Sequence, residues 1–534
     1  MKPIDLEPHL TSITRVPGPL RFLVIGAGSR GNSYSRAVTN ATQGVIHAVA
    51  EPDPYRRATF GKKYIWGDKT PSTGQQFQDW KDWFEWEIQR RKQAEEDADR
   101  QDAIPGVDGV FICTLDEMHV EVVKAIAPLK LHIMCEKPLA TSLQDCLAAS
   151  KALMSVSPVP EKVFAIGHVL RYSPHNKLLR ELLLTDRVIG DIVSLEHTEP
   201  VGWSHFAHSY VRGNWRRETP GQDGSLLTKC CHDIDLILWL LSSPPPGSHV
   251  DHPYHLPKSI SSMGSLTQFT RNRKPLAAGD ATNCLSCPIE KDCNYSAIKL
   301  YDEMHLARGH TGWPVKIVQP DIEDLLKTSG METARSQLYV SLSEDYDSQT
   351  TSAAEIASRS WYGRCVWESD NNVCDDQFVT ISWDDDAKAS GNTQNRGAKL
   401  ATLHMIAPTQ KQCERRGRVY GTLGELSYDS ETITVSDFGT SKTQTIEVPK
   451  PPPTEPESHG GGDYGLTRAF VQAVDAVENQ GWEASKAQAE ILGVTLEEAV
   501  RSHVVVFAAE EARREGKVID WNEWWKGKSA TLSS

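Results

Sequence analysis

Arg21-Phe22-Leu23-Val24-Ile25 runs without a break into Gly26-Ala27-Gly28-Ser29-Arg30-Gly31, and no other stretch constrains the chain as strongly. An apolar run of strand length meets a Gly-x-Gly-x-x-Gly turn, and a helical stretch follows. A second apolar run, Val45-Ile46-His47-Ala48-Val49-Ala50, then ends on Glu51. That order outlines a βαβ unit built to hold a dinucleotide. The first glycine permits the tight turn, the second lets backbone approach a pyrophosphate, and the third lets helix and strand pack closely. Gly26, Gly28, Ser29, Arg30 and Gly31 are therefore expected cofactor contacts, with the helix N-terminus facing the phosphates. Glu51 is placed to bind ribose hydroxyls and to repel a 2′-phosphate, which favours NAD over NADP. Arg56 and Arg57 follow closely and read either as a phosphate contact or as a solvated helix start.

A chain of 534 residues exceeds one compact core, so two domains are expected. The split is read as a tail over 1–19, a nucleotide-binding domain over 20–160 and a second domain over 161–534. A net charge of −14 argues against nucleic acid and anionic membrane surfaces as partners. No apolar run reaches the length of a membrane span. Residues 1–19 hold Asp5, Glu7 and four prolines and lack the apolar centre of a secretory signal. Eleven scattered cysteines do not suggest a disulfide framework, so a reduced, cytoplasmic protein is expected.

Residues 79–102, rich in Trp, Glu, Lys and Arg, read as a decorating surface helix. Val107-Asp108-Gly109-Val110-Phe111-Ile112-Cys113-Thr114 reads as a buried parallel strand. Its carboxyl end places Thr114 and His119 toward the cofactor crevice. For His119, capping or packing is an equal alternative. Leu131-His132-Ile133-Met134-Cys135 is the next strand and ends on Glu136-Lys137-Pro138.

Strand-GxGxxG, the Thr114 strand with its following His, and Glu-Lys-Pro together resemble the glucose–fructose oxidoreductase / inositol dehydrogenase / MocA (Gfo/Idh/MocA) family. The resemblance implies an α/β Rossmann domain followed by an α+β domain with a large, open-faced, mostly antiparallel sheet. It also implies that Lys137 lies beside the nicotinamide and the substrate hydroxyl, with Glu136 in the cofactor contacts. A lysine at the end of a buried strand beside a cationic ring would have its ammonium destabilised, as a base requires.

The second domain is expected to open with the strand Lys162-Val163-Phe164-Ala165-Ile166-Gly167-His168. Arg171 and Tyr172 follow as candidate substrate contacts. Residues 203–217 interleave His205, His208, Arg212, Asn214 and Trp215 with further aromatics and arginines. Polar groups for hydroxyls beside flat rings for C–H faces suit a polyhydroxylated ligand. The alternative is an arginine-rich loop that clamps domains or subunits.

In the resembled family a helix carries an Asp four residues before a catalytic His. Here His232 matches the His, but Thr228 stands in the Asp position and Lys229 follows it. Asp233 and Asp235 are the candidates to compensate, with a purely structural role as the alternative for Asp235; Lys229 offers a second cation for substrate. Cys284-x-x-Cys287-x5-Cys293 has metal-ligand spacing in its first pair. The resemblance nominates Cys365 as a fourth ligand, for structural zinc, against buried free thiols. Asp463 is expected to cap the helix over 466–479, with the triple glycine before it approaching either ligand or a neighbouring strand.

The expected activity is NAD-dependent hydride transfer to or from a hydroxyl of a sugar, inositol or related polyol. Lys137 and His232 are the catalytic pair. Two alternatives stay open: transient oxidation that drives glycoside elimination, and a catalytically silent NAD and sugar sensor. The resemblance further implies a homo-oligomer formed through the second domain's sheet.

Overall fold

This is a computed structural model, and it describes residues 18–96, 104–154, 161–221, 223–246, 253–386, 396–455 and 458–533. The tail before residue 18, the surface helix beyond Glu96, the proline loop at 157–160 and most of the 384–396 loop lie outside the described residues.

Six strands make the first sheet: β1 (Arg21–Ile25), β2 (Val45–Ala50), β3 (Gln76–Phe77), β4 (Gly109–Ile112), β5 (His132–Cys135) and β6 (Phe164–Ile166). Their order is β3-β2-β1-β4-β5-β6, and every pairing is parallel. Apolar side chains fill both faces of β1, as a central parallel strand requires. The strand order reverses between β1 and β4, which opens a crevice at the carboxyl ends of those strands. The strand read from the sequence as opening the second domain is instead β6, paired with β5. An edge strand pairs by backbone register, which composition at 157–160 does not reveal.

The second sheet has nine strands: β7 (Ile192–Pro200), β8 (Ser259–Ser265), β9 (Asp376–Trp383), β10 (Lys399–Ile406), β11 (Arg416–Gly421), β12 (Gly424–Tyr428), β13 (Thr432–Asp437), β14 (Thr443–Glu447) and β15 (Ile519–Asp520). Their order is β14-β13-β12-β11-β7-β10-β9-β8-β15. Only β7 and β10 pair parallel; the rest are antiparallel. β9 and β10 alternate buried and less buried residues along their length, the period of a sheet with one covered face. The link from β8 to β9 is a long insertion of short turns and helices.

The chain's end returns to the first domain. The helix Gly462–Gln480 packs on the helix Ser29–Ala41 that follows the glycine turn. Its Phe470 ring sits 6.0 Å from Phe22 and 5.5 Å from Phe111, so three aromatic rings from β1, β4 and this helix share one core. Phe470→Ala is expected to destabilise the fold by about 3–5 kcal/mol. A fall in the thermal midpoint checks it; an unchanged midpoint would mean that the helix is not needed to close the first domain.

Candidate active site

The glycine turn has two closed positions and one open one. Gly26 has φ +94°, and a Cβ there would lie 2.4 Å from the Cys113 carbonyl oxygen. A Cβ on Gly31 would lie 2.1 Å from the Gly26 carbonyl oxygen. Gly28 has an ordinary φ of −74°, and a Cβ on it would meet nothing within 4 Å. It also precedes a 13-residue helix whose N-cap makes no side-chain hydrogen bond. Open space over unpaired N–H groups fits a pyrophosphate. Ser29 is exposed in the first turn beside it.

Glu51 is buried, and its carboxylate takes the N–H of Ala27 at 2.7 Å and of Asp53 at 3.0 Å. It thus clamps the glycine turn to the end of β2 and, with about four acceptor positions, still has capacity for ribose hydroxyls. Arg57 donates to the carbonyls of Glu51 and Pro52. Its guanidinium is occupied locally rather than turned to a 2′-phosphate. The Thr114 hydroxyl is buried with no partner in the protein. His119 is fully buried; its Nδ1 lies 2.7 Å from Pro138 O and its Nε2 3.3 Å from Thr114 O. It braces the loops after β4 and β5 against each other.

Glu136 does not face outward either. Arg30 Nε donates to it at 2.7 Å, and the Tyr34 hydroxyl bonds the same oxygen. Burial works to raise the Glu136 pKa, but Arg30 and Tyr34 outweigh it and hold the carboxyl below its usual range. Arg30 also makes a two-pronged pair with Asp463, at 3.1 and 2.9 Å. Asp463 therefore bridges domains instead of capping its helix, whose N-cap is Gly461 without a side-chain bond. The glycines around it admit a neighbouring segment rather than a ligand: a Cβ on Gly462 would meet Val169 O at 2.3 Å.

Lys137 follows β5, and the Lys137–Pro138 peptide is cis. Its Nζ donates to the Thr228 carbonyl at 2.6 Å and lies 5.0 Å from the Trp215 ring centre. Trp215 in turn donates its indole N–H to Asp116 at 2.9 Å. Burial raises the Asp116 pKa to about 6, against the pull of His119 and Lys137. Asp116 was not singled out in the sequence. The available signal was an acidic residue in the loop after a parallel strand. His232 is buried, and burial first and Lys137 second push its pKa well below the ordinary value, so the ring is neutral. Its Nδ1 has no partner. The rings of His168 and His459 stand 6.1 and 6.0 Å away.

The remaining expected substrate contacts divide. His205 is half-buried, with Nδ1 3.4 Å from Cys413 Sγ; Lys229 Nζ lies 3.0 Å from the same sulfur and 3.2 Å from Glu199. Burial opposes the Lys229 charge, yet Cys413 and Glu199 raise its pKa, so the cation persists. Other positions are consumed by packing. Arg171 is buried and bound to Asp235 at 2.7 and 2.8 Å and to Glu498 at 3.0 Å. The Tyr172 hydroxyl donates to Leu492 O at 2.9 Å. His208 bonds the Tyr301 hydroxyl at 2.9 Å and stacks on Tyr362. Arg212 is buried among the carbonyls of Arg364 and Tyr295. Asn214 is exposed and takes the Ser360 hydroxyl. Asp233 is paired with Arg415 and His197, and Asp235 with Arg171 and His168, so neither replaces the carboxylate missing at Thr228.

The zinc expectation does not hold. Cys284, Cys287, Cys293 and Cys365 do line one void. Yet among the described residues no three His, Cys, Asp or Glu side chains converge closely enough to share a single metal ion.

Residues 20–157 match the model of an oxidoreductase family's NAD-binding Rossmann fold, and residues 181–252 match the C-terminal alpha/beta domain of the same family. These two stretches are the N- and C-terminal domains of the Gfo/Idh/MocA family, in that family's order. A 2,7-anhydro-N-acetylneuraminate hydratase of Escherichia coli is 32% identical over 139 residues, covering 26% of this chain and 35% of that protein. Inositol 2-dehydrogenase 2 of Saccharopolyspora erythraea is 29% identical over 136 residues, covering 25% and 35%. The chain thus spans roughly a third of the length of these curated relatives. A levoglucosan dehydrogenase solved with NADH and levoglucosan shares the fold at TM-score 0.56 and 14% identity, covering 94% of this chain and 99% of the other. An inositol dehydrogenase homolog from Azotobacter vinelandii, solved with NAD+, gives 0.55 and 14%, covering 95% and 98%.

Within a Gfo/Idh/MocA Rossmann domain the open Gly28 position makes a separable test. Gly28→Ala is expected to fold normally, costing at most about 1 kcal/mol as a poorer N-cap. It is expected to weaken NADH binding at least tenfold in a fluorescence titration. Unchanged affinity would place the dinucleotide elsewhere.

Proposed function

We propose that the protein moves hydride between NAD and a hydroxyl-bearing carbon of a sugar, inositol or related polyol, with Lys137 exchanging the hydroxyl proton. One observation carries this reading. The Lys137 ammonium is held by Thr228 O over the Trp215 ring, at the carboxyl end of β5, on the crevice that the Gly28 turn also faces. A bound nicotinamide supplies the hydride acceptor and donor. The chain's own groups do the rest. Lys137 is fixed by its hydrogen bond and takes or returns the proton at the substrate oxygen. Asp116, linked through the Trp215 indole, is the carboxylate that answers for Thr228. With a pKa of about 6 it changes charge close to neutral pH, on the far side of the ring that supports the lysine. His232, kept neutral by burial, orients the substrate hydroxyl. His205 and Lys229 lie on the side of the site where Cys413 enters. The occupied Arg57 and the carboxylate of Glu51 favour NAD over NADP.

A second reading has one specific support: a relative at 32% identity is named a hydratase. Oxidation and return of hydride within one turnover would then leave NAD unchanged overall. Appearance of NADH with a polyol supports the dehydrogenase; conversion of an anhydro sugar or glycoside without NADH supports the alternative.

Two further features belong to this reading. All eleven cysteines are unpaired, as a reducing cytoplasm would keep them. The open face of the second sheet presents Met263 at 78% exposure and Phe378 at 49%, opposite one another on β8 and β9, with His404 stacked on Phe378 from β10. Such a patch on a sheet face suits a second copy of this chain. Phe378→Glu is expected to lower the mass measured by light scattering to that of one chain. If the wild type is already a single chain, the oligomer is wrong.

Lys137→Ala is expected to lower kcat by about 10²-fold or more without loss of NADH binding. Asp116 has a raised pKa, so it is protonated below about pH 6 and ionised above it. Wild-type kcat/KM should therefore climb through that region as pH rises. Asp116→Asn should lower activity and remove that limb. A pH profile with the same limb in both proteins would take Asp116 out of the mechanism.

A further inference from the structure

The insertion between β8 and β9 encloses a void that no part of the hydride chemistry uses. Four thiols line it: Cys284, Cys287 and Cys293 from one short stretch, and Cys365 from another. The first three sit on two similar knuckles. A turn of 3-10 helix over Cys284–Ser286 ends on Cys287 at φ −80°, ψ 125°. A second over Glu290–Asp292 ends on Cys293 at φ −81°, ψ 123°. Cys365 is fixed beside them by two backbone bonds, Cys284 N to Gly363 O and Cys365 N to Thr282 O, both 2.8 Å.

We propose that these four cysteines ligate a [4Fe–4S] cluster. Geometry separates this from zinc. A lone zinc needs its four sulfurs about 2.3 Å from one centre, which leaves no empty space between them. Here the thiols stand round a void with about 20 Å³ open to the centre of a water, and no three of them meet at a single-ion distance. A cubane has iron at its corners and cysteine sulfurs outside them, and so needs thiols held apart around a gap. Water is a poor filler, because Ala278, Ile289, Val366 and Trp367 supply much of the remaining wall.

Charge points the same way. Arg212 is 1% exposed, and its Nη1 is buried with no partner, while its Nη2 lies 3.4 Å from Cys284 Sγ. A buried N–H donor left without an acceptor is costly, even where the rest of its guanidinium group is bonded to carbonyls. A cluster held by four thiolates is a net anion with sulfur acceptors, and cations and hydrogen bonds beside it stabilise it. Two of the thiols, Cys287 and Cys293, are only half-buried, which gives the cluster a route in from the surface. Its place, between Arg212 and the turns that carry the insertion, makes it a staple for that insertion.

The test uses the full chain, produced with added iron and purified without oxygen, then assayed for iron and acid-labile sulfide. About four of each per chain are expected, with a broad visible absorption that dithionite bleaches. Cys287→Ser with Cys293→Ser should lose iron, sulfide and colour while keeping its far-ultraviolet circular dichroism. Apo protein given ferrous iron and sulfide should regain the absorption only with all four cysteines present. One zinc per chain without sulfide would overturn the proposal. So would free thiols that stay metal-free after reconstitution, or equal iron uptake by the double variant. None of these outcomes depends on hydride transfer, so this site and the proposed activity fail separately.

Discussion

Arg30 is the interaction on which the site depends. It leaves the fifth position of the glycine turn, just before Gly31, reaches Glu136 at the end of β5, and grips Asp463 on the returning helix. Three segments far apart in the chain are thereby held to one geometry. Both carboxylates are buried, so each would be costly if left alone; removing one partner of such a pair typically costs about 3–5 kcal/mol. Burial pushes the Asp463 pKa upward, and Arg30 and His459 overcome it. The same network fixes Lys137, because the second oxygen of Glu136 accepts the Lys137 backbone N–H at 3.0 Å. A residue that reads as a cofactor contact thus works by setting where the lysine stands.

The division between what the sequence revealed and what it hid follows sequence distance. Gly26, Gly28 and Gly31 were legible because their demands are local: a positive φ, a close carbonyl, an open approach. Glu136-Lys137-Pro138 was legible because it sits at the end of an apolar strand. The two sheets followed from apolar periods and from the family resemblance. Arg171 and Tyr172 misled, since their partners Asp235, Glu498 and Leu492 lie 64, 327 and 320 residues away. β6 was assigned to the wrong domain for the same reason: an edge strand is defined by its neighbour.

Residues 203–217 show how one composition serves two ends. Aromatic rings and polar groups suit a sugar, and they equally suit a joint between a domain and its insertion. The structure divides them. Trp215 and His205 lie with the site. Arg212, Arg216 and Arg217 clamp the insertion, with Arg216 bonding Asp370 at 2.7 Å and Ile356 O at 2.5 Å, and Arg217 bonding Asp370 at 2.8 Å. Trp215 joins the two sets, because its neighbours in sequence hold the insertion while its ring supports Lys137.

That joint bears on Thr228. The lysine meets the backbone of this residue and not its side chain, whose hydroxyl donates to Gly224 O at 3.2 Å. The carbonyl of Thr228 offers a weaker, neutral acceptor, and Asp116 stands behind the Trp215 ring from the loop after β4. A hydrogen bond to a neutral carbonyl is weaker than one to a carboxylate. Asp116 in turn is raised to a pKa of about 6 by burial, against the downward pull of His119, Lys137 and the Trp215 indole. With Thr228 in place of the aspartate that the resembled family carries, the acidic group behind the lysine belongs to a different loop and is reached through an aromatic ring.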